Sequence, residues 1–292
     1  MDTITHTLLG LTTYGAIKKE NIDAHTKRAL LFSAVVGSQI PDIDIVANLS
    51  ETGRIMGQMW HRGLTHSLFL TPIWAIIIYG LAILIWKRKD AIIFHLAWLN
   101  VLIHDGTDAL NTWGTGLLEP FSTARITLGF ISIVDFIIWG IILIGFLLIK
   151  LRKNLLRYQV WRGVWIVILM HIGLQSLQGA IIQYQFDEKF EQVELSADFI
   201  PGHFSVIAKS EESISIYEKT VWSKGKLVET LYSAKNADLE RLFEENPRAA
   251  VLNEWSPFVV VVANEETIGI YDPRFYSNGS SFLTESITLE SE

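Results

Sequence analysis

The sequence predicts an α-helical membrane domain of about six helices, some of them short, followed by a small β-rich α+β domain. First, 50% of the residues are hydrophobic and only 19% are charged, against about 25% in ordinary soluble domains. Second, two runs of 19 and 20 residues carry almost no charge. Third, residues 1–186 hold 15 basic and 11 acidic side chains, whereas residues 187–292 hold 9 and 20. The net charge therefore changes from +4 to −11 near Asp187, where we place the domain boundary.

Composition also excludes several classes of site. The chain has no cysteine, which excludes disulfides, thiolate zinc sites and cysteine nucleophiles. The formal net charge of −7 gives a nucleic acid no electrostatic reason to bind, so we expect no nucleic-acid partner. Membrane lipid is the partner that the composition predicts, and the sequence leaves a protein partner unknown.

Apolar runs near 20 residues in length predict transmembrane helices. The strongest runs are 68–86, 130–149 and 163–182, and shorter helical segments are 3–17, 29–40 and 91–103. Buried helices of a large soluble protein are the alternative. Basic clusters at 18–28, 87–89 and 150–162 mark the cytoplasmic side. Six crossings then put both termini and the acidic 187–292 domain on the extracytoplasmic side of the cell membrane.

Histidines and aspartates collect at the helix ends opposite these basic clusters. They are Asp2, His6, Asp42, Asp44, His61, His66, His104, Asp108 and Asp135. Ionisable groups in membrane segments are costly and usually face a partner, a cavity or an ion. The threading therefore predicts a single layer of metal ligands, on the extracytoplasmic side.

The strongest local pattern is the pair His104 and Asp108, which at spacing i, i+4 share one helix face. An imidazole and a carboxylate placed in this way can bind one divalent ion. A helix cap beside a surface histidine is the alternative. Asp105 points elsewhere on the helix, and we expect it to be a supporting or capping residue.

Acidic and basic residues precede two of the apolar runs. Asp42 and Asp44 follow Pro41 in a short irregular stretch, where carboxylates suit hard or borderline cations, although ordinary loop aspartates would look the same. The segment from His61 to His66 offers one or two imidazole ligands, with Arg62 as an anion clamp. An interfacial basic segment is the alternative reading.

Two further residues complete the predicted ligand set. His6 repeats the i, i+4 pattern with Asp2, although Asp2 alone also fits a helix cap. Asp135 lies six residues into an apolar run, where a carboxylate needs a partner or a metal. No nucleophile-elbow, P-loop or dinucleotide motif is found in the sequence, so several histidines and aspartates favour a di- or trinuclear metal centre.

Taken in order, these motifs resemble the YdjM-like family of membrane-bound, metal-dependent hydrolases. They are Asp2-x-x-Thr5-His6-x-x-x-Gly10, Pro41-Asp42-x-Asp44, His61-Arg62-Gly63-x-Thr65-His66-Ser67, His104-x-x-x-Asp108, Glu119-Pro120-Phe121-Ser122, Asp135 and Asp272-Pro273-Arg274-Phe275. That family is in turn distantly similar to zinc-dependent phospholipase C. The similarity implies one metal on Asp42 or Asp44 with His66, His104 and Asp108. It implies another metal between His6 and Asp108.

The function expected from residues and resemblance together is hydrolysis of a phosphoester, such as a lipid phosphate, by metal-activated water. Zinc is the first choice for one to three ions, with manganese or iron as alternatives. Asp42 or Asp44 would orient the water or take its proton, and Arg62 would offset phosphate charge. A metal-binding membrane carrier or sensor, and a non-catalytic membrane scaffold, are the alternative functions.

The acidic domain is predicted to be β-rich. Alternating or β-branched residues predict strands near 193–196, 203–209, 213–222 and 226–233, with a hairpin over 258–271 and a last strand near 281–289. Residues 236–245 have the apolar face of a helix. Arg274 fits either an anion site or, as we expect, a structural ion pair. The domain shows no catalytic set of its own.

Overall fold

The structure, a computed structural model, describes residues 1–289, which form two compact units. The helical unit contains Met1–Ile43, Arg62–Leu177 and Phe199–Pro201. The β-rich unit contains Asp44–His61, Gln178–Asp198 and, among the described residues, 202–289. A helical N-terminal part is thus followed by a β-rich C-terminal part, as the sequence predicts. The boundary near Asp187 stays a prediction.

The helices of the N-terminal part differ widely in length. In chain order they are α1 (Thr3–Gly15), α2 (Ala24–Gly37), α3 (Glu51–Ile55), α4 (Gly57–Trp60), α5 (Thr71–Trp86), α6 (Ala91–Ala109), α7 (Phe136–Leu151) and α8 (Arg157–Asp187), with 3₁₀ segments at Ile40–Leu49 and Leu64–His66. Helices α2, α5 and α6 pack together. Small residues allow this: Ala34, Ala82 and Ala97 are fully buried there.

Length and hydropathy single out one described helix, α8 (Arg157–Asp187), as able to cross a membrane unaided. Two bent pairs raise the number to as many as three, if each pair acts as one span: Ala24–Gly37 with Ile40–Leu49, and Gly57–His66 with Thr71–Trp86. Helix α7 is apolar but shorter. The predicted helices are therefore present, whereas six separate crossings remain an expectation.

The start of α7 corrects one prediction. The apolar run over 130–149 was expected to be one helix with Asp135 inside it, but α7 begins at Phe136. Asp135 is instead the N-cap, and its carboxylate accepts hydrogen bonds from the backbone N–H groups of Ile137 and Ile138. Asp is among the residues preferred as the cap at a helix N-terminus, so local capping outweighs the apolar pattern.

The β-rich unit contains two main antiparallel sheets. One has the order β1 (Gln192–Ala197), β2 (Phe204–Lys209), β3 (Ile214–Lys219) and β4 (Lys226–Leu231), and the other pairs β5 (Val260–Ala263) with β6 (Thr267–Tyr271) and β9 (Thr284–Thr288). A short hairpin joins β7 (Tyr276–Ser277) and β8 (Ser280–Ser281). Strands β1 to β6 and β9 fall where the sequence predicts strands, and β1, β2 and β6 each bury side chains on a sheet face.

Two helices of the β-rich unit adjoin each other, α9 (Leu239–Glu245) and α10 (Pro247–Trp255). The sequence predicts α9 but not α10, whose first residue is Pro247. Helix α10 packs against α3 and α4, so the stretch Asp44–His61 belongs to the β-rich unit although it lies early in the chain. Hydropathy does not reveal such a long-range association.

Candidate metal centre

Helix α1 carries His6 into the interior of the helical unit. Asp2 caps the helix by accepting from the backbone N–H groups of Ile4 and Thr5, and His6 then lies one turn in, with 1% of its surface exposed. Close approach of α1 and α2 depends on Gly10, because a Cβ there would lie 2.6 Å from the Ser38 hydroxyl and 2.8 Å from the Ala34 carbonyl.

Helix α6 supplies two further groups one turn apart. His104 and Asp108 are both fully buried. The Nδ1 atom of His104 lies 2.8 Å from the Ser38 carbonyl oxygen, at the end of α2. A carbonyl can only accept, so Nδ1 carries the proton and Nε2 keeps a free lone pair when the ring is neutral. This is the usual arrangement of a metal-binding histidine.

His66 and Asp42 come from the two 3₁₀ segments. His66 ends the Leu64–His66 turn and is fully buried. Asp42 follows Pro41, after α2 has ended, and 25% of its side chain is exposed. Both side chains therefore come from 3₁₀ segments rather than from the longer α-helices.

These four residues converge in the way that a single ion requires. One ligand atom from each of Asp42, His66, His104 and Asp108 lies within 4.8 Å of the others. His66 Nε2 lies 3.2 Å from His104 Nε2, 3.4 Å from Asp42 Oδ1 and 3.5 Å from Asp108 Oδ2. Tetrahedral zinc with bonds of 2.0–2.1 Å separates neighbouring ligand atoms by about 3.3–3.4 Å. The observed spacings fit that polyhedron.

His6 approaches Asp108 from the other side. The ring of His6 stacks on that of His104 with centroids 3.7 Å apart, and its Nε2 lies 3.2 Å from Asp108 Oδ1. The amino nitrogen of Met1 also contacts Asp108 Oδ1. The Oδ1 atom of Asp108 therefore faces His6, and its Oδ2 atom faces His66 and His104.

Arg62 and Asn111 hold this arrangement from outside. Arg62 Nε lies 3.2 Å from Asp108 Oδ2, and its guanidinium donates to Asn111 Oδ1 over 2.8 Å and to the Met1 carbonyl over 3.3 Å. Sequence reasoning missed Asn111, since that residue lacks the spacing of a recognisable motif. Arg62 is 5% exposed, and its contacts with Asp108 and Asn111 make it part of the buried network around Asp108.

Several buried polar atoms lack hydrogen-bond partners among residues 1–289. Among them are His6 Nδ1, Asp108 Oδ2 and both carboxylate oxygens of Asp105. Buried polar atoms are nearly always satisfied. Asp108 Oδ2 has the Arg62 side chain 3.2 Å away as an ion-pair partner, and a divalent cation bound beside it would satisfy that atom. The donor chemistry therefore fits a divalent metal. Asp105 was expected to support or cap, but it is not the cap of α6, which is Asp90.

Three predicted ligands lie outside the four-residue group. Asp44 and His61 belong to the β-rich unit and pair with each other, Oδ1 to Nδ1, over 3.1 Å. Asp135 Oδ2 lies 2.8 Å from His171 Nε2, which is the partner that a carboxylate at this depth needs. Whether any of the three binds a metal stays a prediction.

Comparison with known proteins agrees with the resemblance seen in the sequence. The model of a family described as "YdjM inner membrane protein" matches residues 1–181. The chain is also 32% identical over 140 residues to "Uncharacterized protein YfhP" of Bacillus subtilis (strain 168). That match covers 46% of this chain and 42% of the relative, so the chain spans less than half of the relative's length.

No solved structure matches the chain. The comparisons name neither a hydrolase nor a metal, and they do not reach the phospholipases C, so that similarity stays an expectation. The residues matched by the family model include all four members of the converging group.

Proposed function

Since the chain belongs to the YdjM inner membrane protein family, we propose that it is a membrane-embedded, metal-dependent hydrolase of a phosphoester. One observation carries the proposal: two imidazole nitrogens and two carboxylate oxygens, from separate segments of the helical unit, converge within 4.8 Å of one another. Three of these side chains are fully buried, and burying so many ionisable groups is costly unless they bind something.

The donor set favours zinc, with manganese or iron as alternatives, because imidazole and carboxylate ligands suit borderline divalent ions. Asp42, His66, His104 and Asp108 would hold one ion. His6, which lies 3.2 Å from the other oxygen of Asp108, would hold a second. Asp44, His61 and Asp135 are proposed as further ligands only if the site contains more ions, up to three.

A divalent ion bound here would lower the pKa of a water molecule and polarise a phosphoryl oxygen. The protein's own groups would do the rest. Asp42 is the most exposed member of the group, so it is our candidate for orienting the water and taking its proton, with Asp44 as the alternative. Arg62 would offset phosphate charge, and its contacts with Asp108 and Asn111 also give it a positioning role.

The proposed substrate is a lipid phosphate or another membrane-associated phosphoester. Family membership supports an inner-membrane location. The six-crossing threading, drawn from the positive-inside rule, puts the metal centre and the β-rich unit on the extracytoplasmic side. We propose no nucleic-acid partner, because the net charge is −7.

The test uses the purified full chain, a panel of phosphomonoester and phosphodiester lipids, and metal analysis of the same samples. We expect wild type to contain metal and release product. His104→Ala should lose both, whereas His95→Ala, an exposed histidine on the same helix, should lose neither. Metal retained without hydrolysis of any lipid phosphate would contradict the enzyme and favour a carrier or sensor. Wild type without metal would favour a scaffold.

A further inference from the structure

The segment from Arg62 to Phe69 presents two different faces. On one face Arg62 and His66 are buried in the network of the metal centre. On the other face Leu64, Leu68 and Phe69 are 47%, 42% and 52% exposed. One short stretch of chain therefore joins metal ligation to an open apolar surface.

A second loop is fastened to this segment by backbone contacts. The Gly116 N–H donates to the Arg62 carbonyl over 2.7 Å, and the Leu68 N–H donates to the Leu117 carbonyl over 3.0 Å. The Ser67 hydroxyl also donates to the Glu119 carbonyl. These bonds fix residues 116–119 beside residues 62–68.

The second loop adds its own apolar side chains to the surface. Leu118 is 43% exposed and Phe121 is 77% exposed. The rings of Phe69 and Phe121 meet edge to face, with centroids 4.8 Å apart, which is a favourable aromatic geometry. We call Leu64, Leu68, Phe69, Leu118 and Phe121 the apolar lip.

The apolar lip continues into a surface that is suited to lipid. Helix α5 begins two residues after Phe69, and its residues Ile73, Ile76 and Ile77 are 49%, 60% and 44% exposed at helical spacing. Ala75 and Ile78, on its other side, are fully buried. Helix α5 belongs to a candidate membrane span, so its exposed isoleucines fit a bilayer, and the lip extends that surface to the residues beside His66.

We propose that the apolar lip binds the hydrocarbon chain of a bilayer lipid. This proposal rests on the proposed function. The substrate would then be an amphiphile whose hydrocarbon chain lies on the apolar lip while its phosphate lies at the metal centre. The two phenylalanines and three leucines of the lip would make dispersion contacts with a hydrocarbon chain, and binding would remove apolar surface of both from water. Clustered exposed apolar residues are typical of interaction sites, and the continuity with α5 favours lipid over a second copy of the chain.

The first experiment does not depend on catalysis. Because the chain has no cysteine, Phe121→Cys accepts a single environment-sensitive fluorophore in the full chain, reconstituted into phosphatidylcholine vesicles with spin-labelled acyl chains. We expect at least a twofold loss of fluorescence relative to unlabelled vesicles. Lys224→Cys, at an exposed position between β3 and β4 of the β-rich unit, is the control and should change little. A label at 121 that the spin-labelled chains do not quench would overturn the proposal. So would a loss of quenching when two copies of the chain associate through the apolar lip, because the lip would then bind protein rather than lipid.

The second experiment compares one long-chain and one short-chain, water-soluble ester of the same phosphate head group. In Phe69→Ser/Phe121→Ser we expect the ratio of kcat/KM for the long over the short substrate to fall about tenfold or more. Leu151→Ser, the control, also replaces an exposed apolar side chain by serine, but on α7 and outside the lip. It should keep the wild-type ratio. An unchanged ratio in the double variant would overturn the role of the lip in substrate choice. A wild type that hydrolyses neither ester would instead refute the proposed function, while quenching at 121 would still establish lipid binding.

Discussion

The two units bury charged side chains in opposite ways. In the β-rich unit, Asp272 is fully buried, and its oxygens accept from the Arg274 backbone and guanidinium and from the Ser256 hydroxyl. The guanidinium also lies 4.8 Å from the Trp255 ring centre. In the helical unit, Asp108 is equally buried, yet its Oδ2 accepts no hydrogen bond within residues 1–289. That oxygen lies 3.2 Å from Arg62 Nε and faces the imidazoles of His66 and His104 at 3.5 and 3.6 Å.

The difference separates a structural network from a binding site. A buried carboxylate that the protein itself satisfies stabilises or specifies the fold. A buried carboxylate whose oxygen faces the Nε2 atoms of two imidazoles, as Asp108 Oδ2 does, is suited to a divalent cation in addition to its ion pair with Arg62. Motif spacing alone does not distinguish these cases, because Asp272-x-Arg274 and His104-x-x-x-Asp108 both look like pairs of charged residues.

The largest effect is expected when the ion pair between Asp272 and Arg274 is broken. Arg274→Met leaves Asp272 buried without its cation, which costs about 3–5 kcal/mol in comparable networks. Chemical unfolding of the full chain, followed by tryptophan fluorescence, should show this loss. The metal content of the folded fraction should equal that of wild type. A variant that unfolds like wild type would show that the pair is not a structural element.

The next effect removes one metal ligand. His104→Ala should weaken metal binding by more than the roughly 10–100-fold that loss of an outer hydrogen-bond partner causes. Titration with a competing chelator measures this affinity. His95→Ala is the matched control, because it makes the same change at an exposed position on α6. Equal affinities in the two variants would contradict the site.

Metal should stabilise the chain through the same group. A ligand that binds only the folded state at 100 times its Kd adds about 2.7 kcal/mol. Zinc should therefore raise the melting temperature of wild type and leave that of His104→Ala unchanged. A rise of the same size in both proteins would indicate zinc bound elsewhere.

A smaller effect tests the outer network. Arg62→Lys keeps a positive charge but cannot contact Asp108, Asn111 and the Met1 carbonyl together, since lysine lacks the planar fork. We expect metal affinity to fall about 10–100-fold, as for other outer-shell changes. If affinity is unchanged while hydrolysis falls, then Arg62 acts on the substrate alone.

The smallest effect distinguishes two histidines of one motif. His66 belongs to the converging group, whereas His61 pairs with Asp44 in the β-rich unit. We therefore expect His66→Ala to lower metal affinity at least about tenfold more than His61→Ala does. Chelator competition on both variants measures the difference. The reverse order would move the ligand assignment to His61.

Sequence reasoning reached much of the fold because its signals are local. Period-2 alternation marks β1 to β3, and i, i+4 spacing puts His104 and Asp108 on one face. It failed where a single side chain overrides a pattern, as Asp135 does by capping α7. It also failed for tertiary associations, such as α10 with α3 and α4, since these depend on packing between distant segments.

Sequence reasoning also predicted part of the candidate metal site. Sequence left Asp42 or Asp44, and His61 or His66, as equal alternatives, because residues two to five apart in irregular chain can face either way. The structure brings Asp42 and His66 into the four-residue group. Asn111 could not be foreseen, because its role depends on the approach of Arg62, which is 49 residues away in sequence.

The most direct test is zinc X-ray absorption on the purified, zinc-loaded full chain. Coordination by Asp42, His66, His104 and Asp108 predicts four nitrogen and oxygen ligands near 2.0–2.1 Å, with the outer-shell scattering of two imidazoles. One imidazole contribution should disappear in His66→Ala, and none in His95→Ala. A spectrum without imidazole scattering, or one that His66→Ala leaves unchanged, would contradict the claim that these buried side chains form a metal centre.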